Sequence, residues 1–299
     1  MKKSLITLQA RPATIIEFPL YDAPPRTIFT ITDGIPDGVW LDKANGLLYW
    51  TNMGNLTDQK EEFAAKDGSI QCCDLNGEQH RILVGNGAVT TPKQLTGDPE
   101  HGFLYWCDRE GMAVMRCRMD GTGLETLVRR GRNEQDRLEV ERHCVGIALD
   151  TSRQHIYWTQ KGPAKGGKGR IFRAGINIPE GQTADNRTDI TLLLDQLPEP
   201  IDLEFGAVSG RLYWTDRGAP PNGNSLNSAT IAGDGRLINH HVLVTGLQEG
   251  IGLTVDEKDN KAYVTDLGGY IREVNLATDR QSVLRQQGPT TGITLLTDA

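Results

Sequence analysis

Five related segments recur along the chain and constrain its fold more than any other feature. Each is read as an apolar strand, a turn carrying Asp, Gly or Asn, and a second strand ending in an aromatic pair. Their central tyrosines are 56, 52, 56 and 50 residues apart, a period typical of repeat architectures. The segments are PDGVWLDKANGLLYWTN (36–52), PKQLTGDPEHGFLYWCD (92–108), CVGIALDTSRQHIYWTQ (144–160), PIDLEFGAVSGRLYWTD (200–216) and GIGLTVDEKDNKAYVTD (250–266).

Two further short strands follow each segment, so every repeat of about 50 residues predicts four antiparallel strands, the pattern of a propeller blade. A sixth blade is split between the chain termini. Three N-terminal stretches (SLITLQA, ATIIEFPL and RTIFTIT) lack an innermost partner, and residues 291–295 (TGITL) supply one. Joining them removes two exposed sheet edges. We therefore predict an all-β, six-bladed β-propeller, a single domain over residues 1–299, with its last blade closed by N- and C-terminal strands.

The composition limits the partners. With 32 Lys+Arg against 39 Asp+Glu, the net charge is −7, which argues against nucleic acid because its binders concentrate basic residues. No apolar run approaches the ~18 residues of a membrane span. The N-terminal apolar stretch is interrupted at Gln9, Arg11 and Pro12, unlike a secretion signal. We expect no nucleic-acid or membrane partner and a cytoplasmic location.

The cysteines fit the same location. The chain has five cysteines, and this small, odd number favours reduced thiols. Cys107 and Cys117 could face each other across a predicted hairpin, so one disulfide is left open as an alternative.

The ends of the second strands resemble the YWTD repeats of low-density-lipoprotein-receptor-type propellers. The matching stretches are Tyr49–Asn52, Tyr105–Asp108, Tyr157–Gln160, Tyr213–Asp216 and Tyr263–Asp266. The resemblance implies a six-bladed propeller in which the final Asp is structural and ties neighbouring blades together. Asn52 and Gln160 replace that Asp in two blades, and both can still accept hydrogen bonds.

In such propellers the innermost strands start at one mouth of the central channel, and the aligned positions there should converge on the axis and line a ligand pocket. One column of positions comprises Asp37, Lys93, Val145, Ile201, Ile251 and Thr291. The column two residues earlier comprises Ile35, Thr91, His143, Glu199, Glu249 and Pro289. The pocket would have an apolar wall and a polar arc. We expect a solvated mouth whose side chains contribute little to stability, with a simple Asp37–Lys93 pair as the structural alternative.

Related six-bladed enzymes allow a comparison of chemistry. Metal-dependent lactonases of the gluconolactonase type hold a divalent cation at the first column, where only Asp37 matches and Lys93 places a positive charge. Val145, Ile201 and Ile251 offer no oxygen ligand. We therefore expect no metal site and no cofactor. The strictosidine-synthase type uses a Glu beside an apolar pocket, and Glu199 or Glu249 could be placed similarly.

The chain also resembles fungal propeller cyclases of natural-product pathways, the hetero-Diels–Alderases that join a quinone methide to a terpene. This resemblance implies a small apolar organic substrate in the funnel. Lys93 and His143 would donate to its carbonyl. Asp37, Glu199 and Glu249 would orient those donors or accept a substrate hydroxyl proton. The substrate-binding residues would be Ile35, Thr91, Val145, Ile201, Ile251 and Thr291.

The alternative function is a protein- or ligand-binding YWTD propeller without catalysis. Long loops at residues 53–67, 161–169 and 217–227, with the linker 129–142, are predicted on the same face as the mouth. Loops of this kind, confined to one face, are typical of a covered site, and the same face could hold a protein partner.

Overall fold

Six four-stranded antiparallel sheets form the molecule, which confirms the predicted all-β propeller. The computed structural model describes residues 2–57 and 63–297. The innermost strand of each sheet contacts the innermost strands of the next and previous sheets, and the last contacts the first, so the sheets close into a ring. Within the described ranges, no helix is long and apolar enough to cross a membrane.

The strands are numbered in chain order. The first six are β1 (Lys3–Ala10), β2 (Ala13–Pro19), β3 (Arg26–Thr30), β4 (Pro36–Asp42), β5 (Leu47–Asn52) and β6 (Ser69–Asp74). The next six are β7 (Arg81–Val84), β8 (Pro92–Asp98), β9 (Phe103–Asp108), β10 (Ala113–Arg118), β11 (Glu125–Arg129) and β12 (Cys144–Asp150). Then follow β13 (His155–Gln160), β14 (Gly169–Gly175), β15 (Thr191–Leu197), β16 (Pro200–Gly206), β17 (Arg211–Asp216) and β18 (Ser225–Ile231). The last are β19 (Leu237–Thr245), β20 (Gly250–Asp256), β21 (Lys261–Asp266), β22 (Tyr270–Asn275), β23 (Arg280–Gln286) and β24 (Thr290–Thr297).

Blades 1 to 5 are β4–β7, β8–β11, β12–β15, β16–β19 and β20–β23, and blade 6 has the order β24-β1-β2-β3. A four-residue helix, α1 (Glu134–Arg137), lies in the linker between blades 2 and 3. Two short 3₁₀ turns occur at Val140–Arg142 and Glu257–Asp259.

The sixth blade closes as predicted. β1 lies between β24 and β2, and Leu5 pairs with Leu295 on one side and Phe18 on the other. Thr291 Oγ1 on β24 also donates to the carbonyl of Pro36 in blade 1, at 3.0 Å. The two ends of the chain are therefore held within one sheet. That residues 1–299 constitute a single domain stays a prediction.

The aromatic pair of each repeat fills the cores between blades. Side chains alternate across a strand, so consecutive Tyr and Trp residues face opposite neighbours. In blade 2, Trp106 packs with residues of blade 1 while Tyr105 packs with residues of blade 3. Both are at most 1% exposed. One dipeptide thus anchors two interfaces, which is why it recurs.

The threonine of the motif, rather than the Asp, ties one blade to the next, which corrects the expectation taken from the resemblance. Thr51 Oγ1 donates to the carbonyl of Lys93 at 2.7 Å and accepts from Gly38 N at 2.8 Å. Equivalent bonds run from Thr159 to Ile201, from Thr215 to Ile251 and from Thr265 to Thr291. In blade 2 the thiol of Cys107 replaces the hydroxyl and donates to the Gly146 carbonyl at 3.2 Å.

The Asp instead holds the backbone around its own strand end. Asp108 accepts hydrogen bonds from the amides of Thr90 and Thr91 in the preceding linker, at 2.8 and 2.7 Å. It also accepts one from Gly111 at 3.1 Å. Asn52 and Gln160 also hold backbone near their own strand ends. Asn52 accepts a hydrogen bond from Gly54 N, and Gln160 donates one to the Glu141 carbonyl.

The disulfide left open between Cys107 and Cys117 does not form, and all five cysteines are free and buried. In the β9–β10 register, Cys107 lies opposite Val114 and Cys117 opposite Leu104. The two thiols lie on opposite faces of the sheet, Cys107 in the core with blade 3 and Cys117 in the core with blade 1. Strand alternation therefore keeps them apart.

Long connections are not confined to one face, contrary to the prediction. Residues 176–190 join β14 to β15 at the end of the blade opposite the predicted mouth, and we call them the strap. The strap runs along the outer strand of blade 2, where Arg129 N donates to the Ala184 carbonyl at 3.0 Å. It covers an edge strand that would otherwise leave its backbone groups unpaired. Of the predicted long loop 53–67, residues 58–62 lie outside the described residues.

Candidate functional site at the charged mouth of the channel

The first predicted column converges at one mouth of the channel. Val145, Ile201 and Ile251 form a single buried cluster, with Leu267 packed against it. Across from them, Lys93 Nζ donates to Asp37 Oδ1 at 2.7 Å. The apolar and polar parts of the column are therefore both brought together. Adjacent innermost strands approach so closely here that a Cβ on Gly146 would lie 2.0 Å from the Ile201 carbonyl oxygen.

Asp37 and Lys93 form a buried ion pair, the alternative that the sequence left open. They are 1% and 8% exposed, so this part of the mouth is not solvated as expected. Gln94 Nε2 also donates to Asp37 Oδ2, at 3.1 Å, and Met53 Sδ lies 3.1 Å from Lys93 Nζ. Burial lowers the pKa of Lys93, and the Asp37 carboxylate opposes that shift.

Two buried residues of the blade 1 loop lie at this part of the mouth, and one of them, Met53, contacts Lys93. Met53 and Phe63 are both buried, and the Phe63 carbonyl accepts the hydroxyl of Thr91, which is itself fully buried. The Arg109 guanidinium lies 5.8 Å from the centre of the Phe63 ring. Blades 1 and 2 thus contribute a covered half of the mouth, defined by Asp37, Thr91 and Lys93.

Glu199 and Glu249 of the second column belong to a chain of ion pairs on the other side. Lys161 Nζ lies 3.1 Å from Glu199 Oε1, and Arg217 Nη2 lies 2.8 Å from Glu249 Oε2. Arg217 Nε is also 3.4 Å from Glu199 Oε1. The side chains of Lys161, Arg217 and Glu249 are 14%, 25% and 38% exposed, so solvent reaches them. We call these three residues the open half of the mouth.

His143 is buried between the two halves. Its Nε2 donates to the carbonyl of Arg137, at 2.8 Å, which assigns the proton to Nε2 in the neutral ring. Nδ1 is then left as an acceptor. Burial lowers the pKa of His143, with the Glu110 carboxylate opposing and the Arg109 and Lys161 cations reinforcing the shift. At neutral pH the imidazole is therefore suited to accept a proton.

The remaining predicted positions form the edge of the mouth. Thr291 is buried and bonded to the backbone of blade 1, whereas Ile35 is half-buried and Pro289 is exposed. The structure thus brings both columns to one mouth, but some of their side chains are buried and others are exposed.

Sequence reasoning missed a third column, the residue directly after each motif. Its members are Met53, Arg109, Lys161, Arg217 and Leu267. In four blades the amide of this residue donates to the carbonyl of the second-column residue of the same blade, as Arg217 N does to Glu199 at 3.0 Å. That bond places its side chain beside the mouth. The repeat alignment could have found this column if it had been extended by one position.

A second feature missed from sequence is a cavity of about 250 Å³ in the channel beyond the first column, lined in part by Gln94, Asp202 and Glu204. Asp202 Oδ2 accepts from Leu253 N, and Glu204 Oε1 accepts from Val255 N, at 2.9 and 3.0 Å. Burial raises the pKa of Glu204 to about 8 and that of Asp202 well above its usual value. Within the described ranges, no group of three His, Cys, Asp or Glu side chains is placed to hold a metal ion.

Comparisons with known proteins show which proteins the chain is related to. No protein-family model matches the chain. It is 44% identical over 281 residues to the low-density lipoprotein receptor-related protein 1 of Pyricularia oryzae, covering 89% of this chain and 88% of that protein. It is 38% identical over 293 residues to the 3-hydroxyacyl-CoA dehydrogenase-like protein LAM1 of Cochliobolus heterostrophus, covering 94% of this chain but only 60% of LAM1.

Among solved structures, a chain in the crystal structure of the nidogen/laminin complex superposes with a TM-score of 0.75. The alignment covers 98% of both chains at 20% sequence identity. At that identity the likeness concerns the fold alone.

Proposed function

The chain belongs to the family of the Pyricularia oryzae low-density lipoprotein receptor-related protein 1, and we propose that it is a cofactor-independent cyclase, of the hetero-Diels–Alder kind, acting on a small organic substrate at the charged mouth. The proposal includes a cytoplasmic location and no nucleic-acid or membrane partner. We do not propose a dehydrogenase activity from the name of LAM1. All strand pairs among the described residues are antiparallel, whereas a dinucleotide site of the Rossmann type needs a parallel βαβ unit.

The observation that carries the proposal is the concentration of perturbed ionisable groups at one mouth. Burial lowers the pKa values of Lys93, His143 and Lys161, and all three lie with carboxylates around the same opening. Folding alone gains little from buried ion pairs, because desolvation offsets their attraction. Clusters of this kind are typical of catalytic sites.

The arrangement could promote a cyclisation in three ways. Arg217 and Lys161 can donate hydrogen bonds to a substrate carbonyl from the open half, and charge that develops on that oxygen would be stabilised. His143 Nδ1 can accept a proton. Val145, Ile201 and Ile251 provide an apolar floor on which two reacting parts can be held together. Lys93, paired with Asp37, lies across the mouth from this floor.

The experiment uses an ortho-quinone methide, generated in solution, and a terpene alkene as reaction partners. The uncatalysed cycloaddition gives a racemic product, so enantiomeric enrichment measured by chiral chromatography reports catalysis. We expect enrichment with the wild-type protein and its loss in His143→Ala and Arg217→Met. Arg236→Met is the matched control, because Arg236 is exposed and paired only with Asp234 in a turn. A racemic product at the background rate would contradict the proposal.

A second candidate is a binding propeller without catalysis, favoured by the receptor-related name of the 44% identical relative and by Leu138, which is 64% exposed in the linker between blades 2 and 3. Its partner would be a protein on the face of the charged mouth. A racemic product together with a cross-linked protein complex that Leu138→Asp abolishes would favour this function over the cyclase.

A further inference from the structure

Lys161 is the lysine of the open half of the mouth. It is the first residue of the β13–β14 connection, and its Nζ contacts Glu199 Oε1 at 3.1 Å and the Gly162 carbonyl at 3.3 Å. Lys93, in contrast, is held at 2.7 Å by Asp37 and lies 3.1 Å from Met53 Sδ. The ion pair of Lys161 is therefore longer than that of Lys93, and its side chain is slightly more exposed, 14% against 10%.

The carboxylate beside Lys161 is shared with other donors. Glu199 Oε1 also faces Arg217, and Glu199 Oε2 accepts from the amide of Lys165 at 3.1 Å. Glu199 is only 1% exposed, and its carboxylate is shared among Lys161, Arg217 and the Lys165 amide. Burial lowers the pKa of Lys161; Glu199 opposes the shift, while Arg217 and Arg109 add to it.

A histidine and an apolar surface lie on the same mouth as Lys161. His143, whose own pKa is affected by the charge of Lys161, offers Nδ1 as a proton acceptor. Leu267, Ile251 and Ile201 form an apolar surface on the same mouth. Nucleophilic attack on a carbonyl requires the neutral form of an amine, and a lowered pKa increases the fraction of Lys161 in that form.

We propose that Lys161 forms a Schiff base with an aldehyde or ketone, and that the substrate of the proposed cyclase is a conjugated carbonyl compound. The lone pair of Nζ attacks the carbonyl carbon while the C=O π electrons move to oxygen, and proton transfer gives a carbinolamine. Loss of one water molecule then leaves C=N, with no change in oxidation state. The protonated imine withdraws electrons from the conjugated double bond and makes it a better cycloaddition partner. This inference rests on the proposed function for its site.

The test treats the full chain with cinnamaldehyde and sodium cyanoborohydride, which reduces an imine to a stable amine, and maps labelled lysines by mass spectrometry at pH 6 to 8. We expect Lys161 to be labelled several-fold faster than Lys168, which is 60% exposed and paired with Glu141. Lys161→Arg should abolish this label with little change in melting temperature, because Arg keeps the charge beside Glu199. Lys168→Arg should leave it unchanged.

Glu199→Gln is the diagnostic variant, since removing the opposing carboxylate should shift the labelling profile of Lys161 to lower pH. Labelling of Lys161 no faster than that of Lys168 across this range would overturn the inference. Enantiomeric enrichment of the cycloadduct without any label on Lys161 would overturn it too, while leaving the cyclase proposal in place. Fast labelling with a racemic product would support the reactive lysine and contradict the cyclase.

Discussion

At the residue scale, removing one partner of the buried pair of Asp37 and Lys93 should cost more stability than removing both. Lys93→Met leaves the Asp37 carboxylate, 1% exposed, with only the Gln94 amide as a side-chain partner. We expect a loss of about 3–5 kcal/mol in the free energy of unfolding, measured by urea denaturation. The double variant Asp37→Asn, Lys93→Met removes both charges and should recover much of that loss. Equal stability of the single and double variants would contradict the pair's role.

Glu204 should make stability fall as pH rises. Burial raises its pKa in the folded protein from 4.5 to about 8, with the Val255 amide opposing the shift. Above about pH 4.5 the unfolded chain loses this proton while the folded chain retains it, so folding becomes less favourable up to about pH 8. Glu204→Gln stays neutral and keeps an acceptor for Val255 N.

The melting temperature of Glu204→Gln should therefore exceed that of the wild type by a margin that grows from pH 5 to pH 8.5. Asp216, whose pKa burial also raises, is present in both proteins. The Glu204 charge adds to the raised pKa of Asp202, so its removal changes the pKa of Asp202 in the direction that reinforces the expected difference. Parallel melting curves across this range would show that Glu204 ionises normally in the folded state.

At the element scale, the strap depends on one buried arginine. Arg187 donates to both carboxylate oxygens of Asp189 at 2.7 Å, to the Leu127 carbonyl at 2.9 Å and to the Gly175 carbonyl at 2.8 Å. A lysine cannot reproduce this planar set of donors. Arg187 therefore links the strap to both blade 3 and the outer strand of blade 2, together with the Arg129 N–Ala184 bond and the ion pairs of Asp185.

Arg187→Lys should lower the free energy of unfolding by about 2–3 kcal/mol, because buried acceptors lose charged hydrogen bonds. Amide hydrogen exchange should rise in β11 and in the strap before it rises in the inner strands. Arg236→Lys, in an exposed turn, is the control and should be neutral. Unchanged exchange in β11 would mean that the strap does not depend on Arg187.

At the scale of the whole molecule, the ring depends on its N-terminal strands. Deleting residues 1–20 removes β1 and β2, including the fully buried Leu5, Ile6 and Leu8. It also exposes the β24 edge and an apolar blade face, at a cost of ~25 cal/mol per Å². We expect loss of cooperative melting by circular dichroism. Deleting residues 1 and 2 alone should leave melting unchanged, and a normally melting 1–20 deletion would contradict closure.

The repeats alone predict a ring of blades, because each copy contains the same local pattern of apolar and polar positions. Alternating apolar positions, a polar turn and the buried aromatic pair are local patterns, and their period sets the number of blades. The same alignment brings Asp37, Lys93 and the three aliphatic residues to one mouth. The alignment stopped at the motif, however, and so missed Lys161 and Arg217, which lie one residue further along.

Other features depend on which surfaces meet after closure. Contacts between segments that no local pattern links decide the faces of Cys107 and Cys117, the contact of Met53 with Lys93 and the path of the strap along β11. The same holds for Glu204, whose pKa is raised by burial between β16 and β20. The sequence by itself determined the six blades and which residues share a mouth, because both follow from short-range periodicity. The tertiary structure decided how deeply each side chain is buried, which partner it pairs with and which groups hold a proton. These properties depend on the dielectric and on the partners that distant segments bring together.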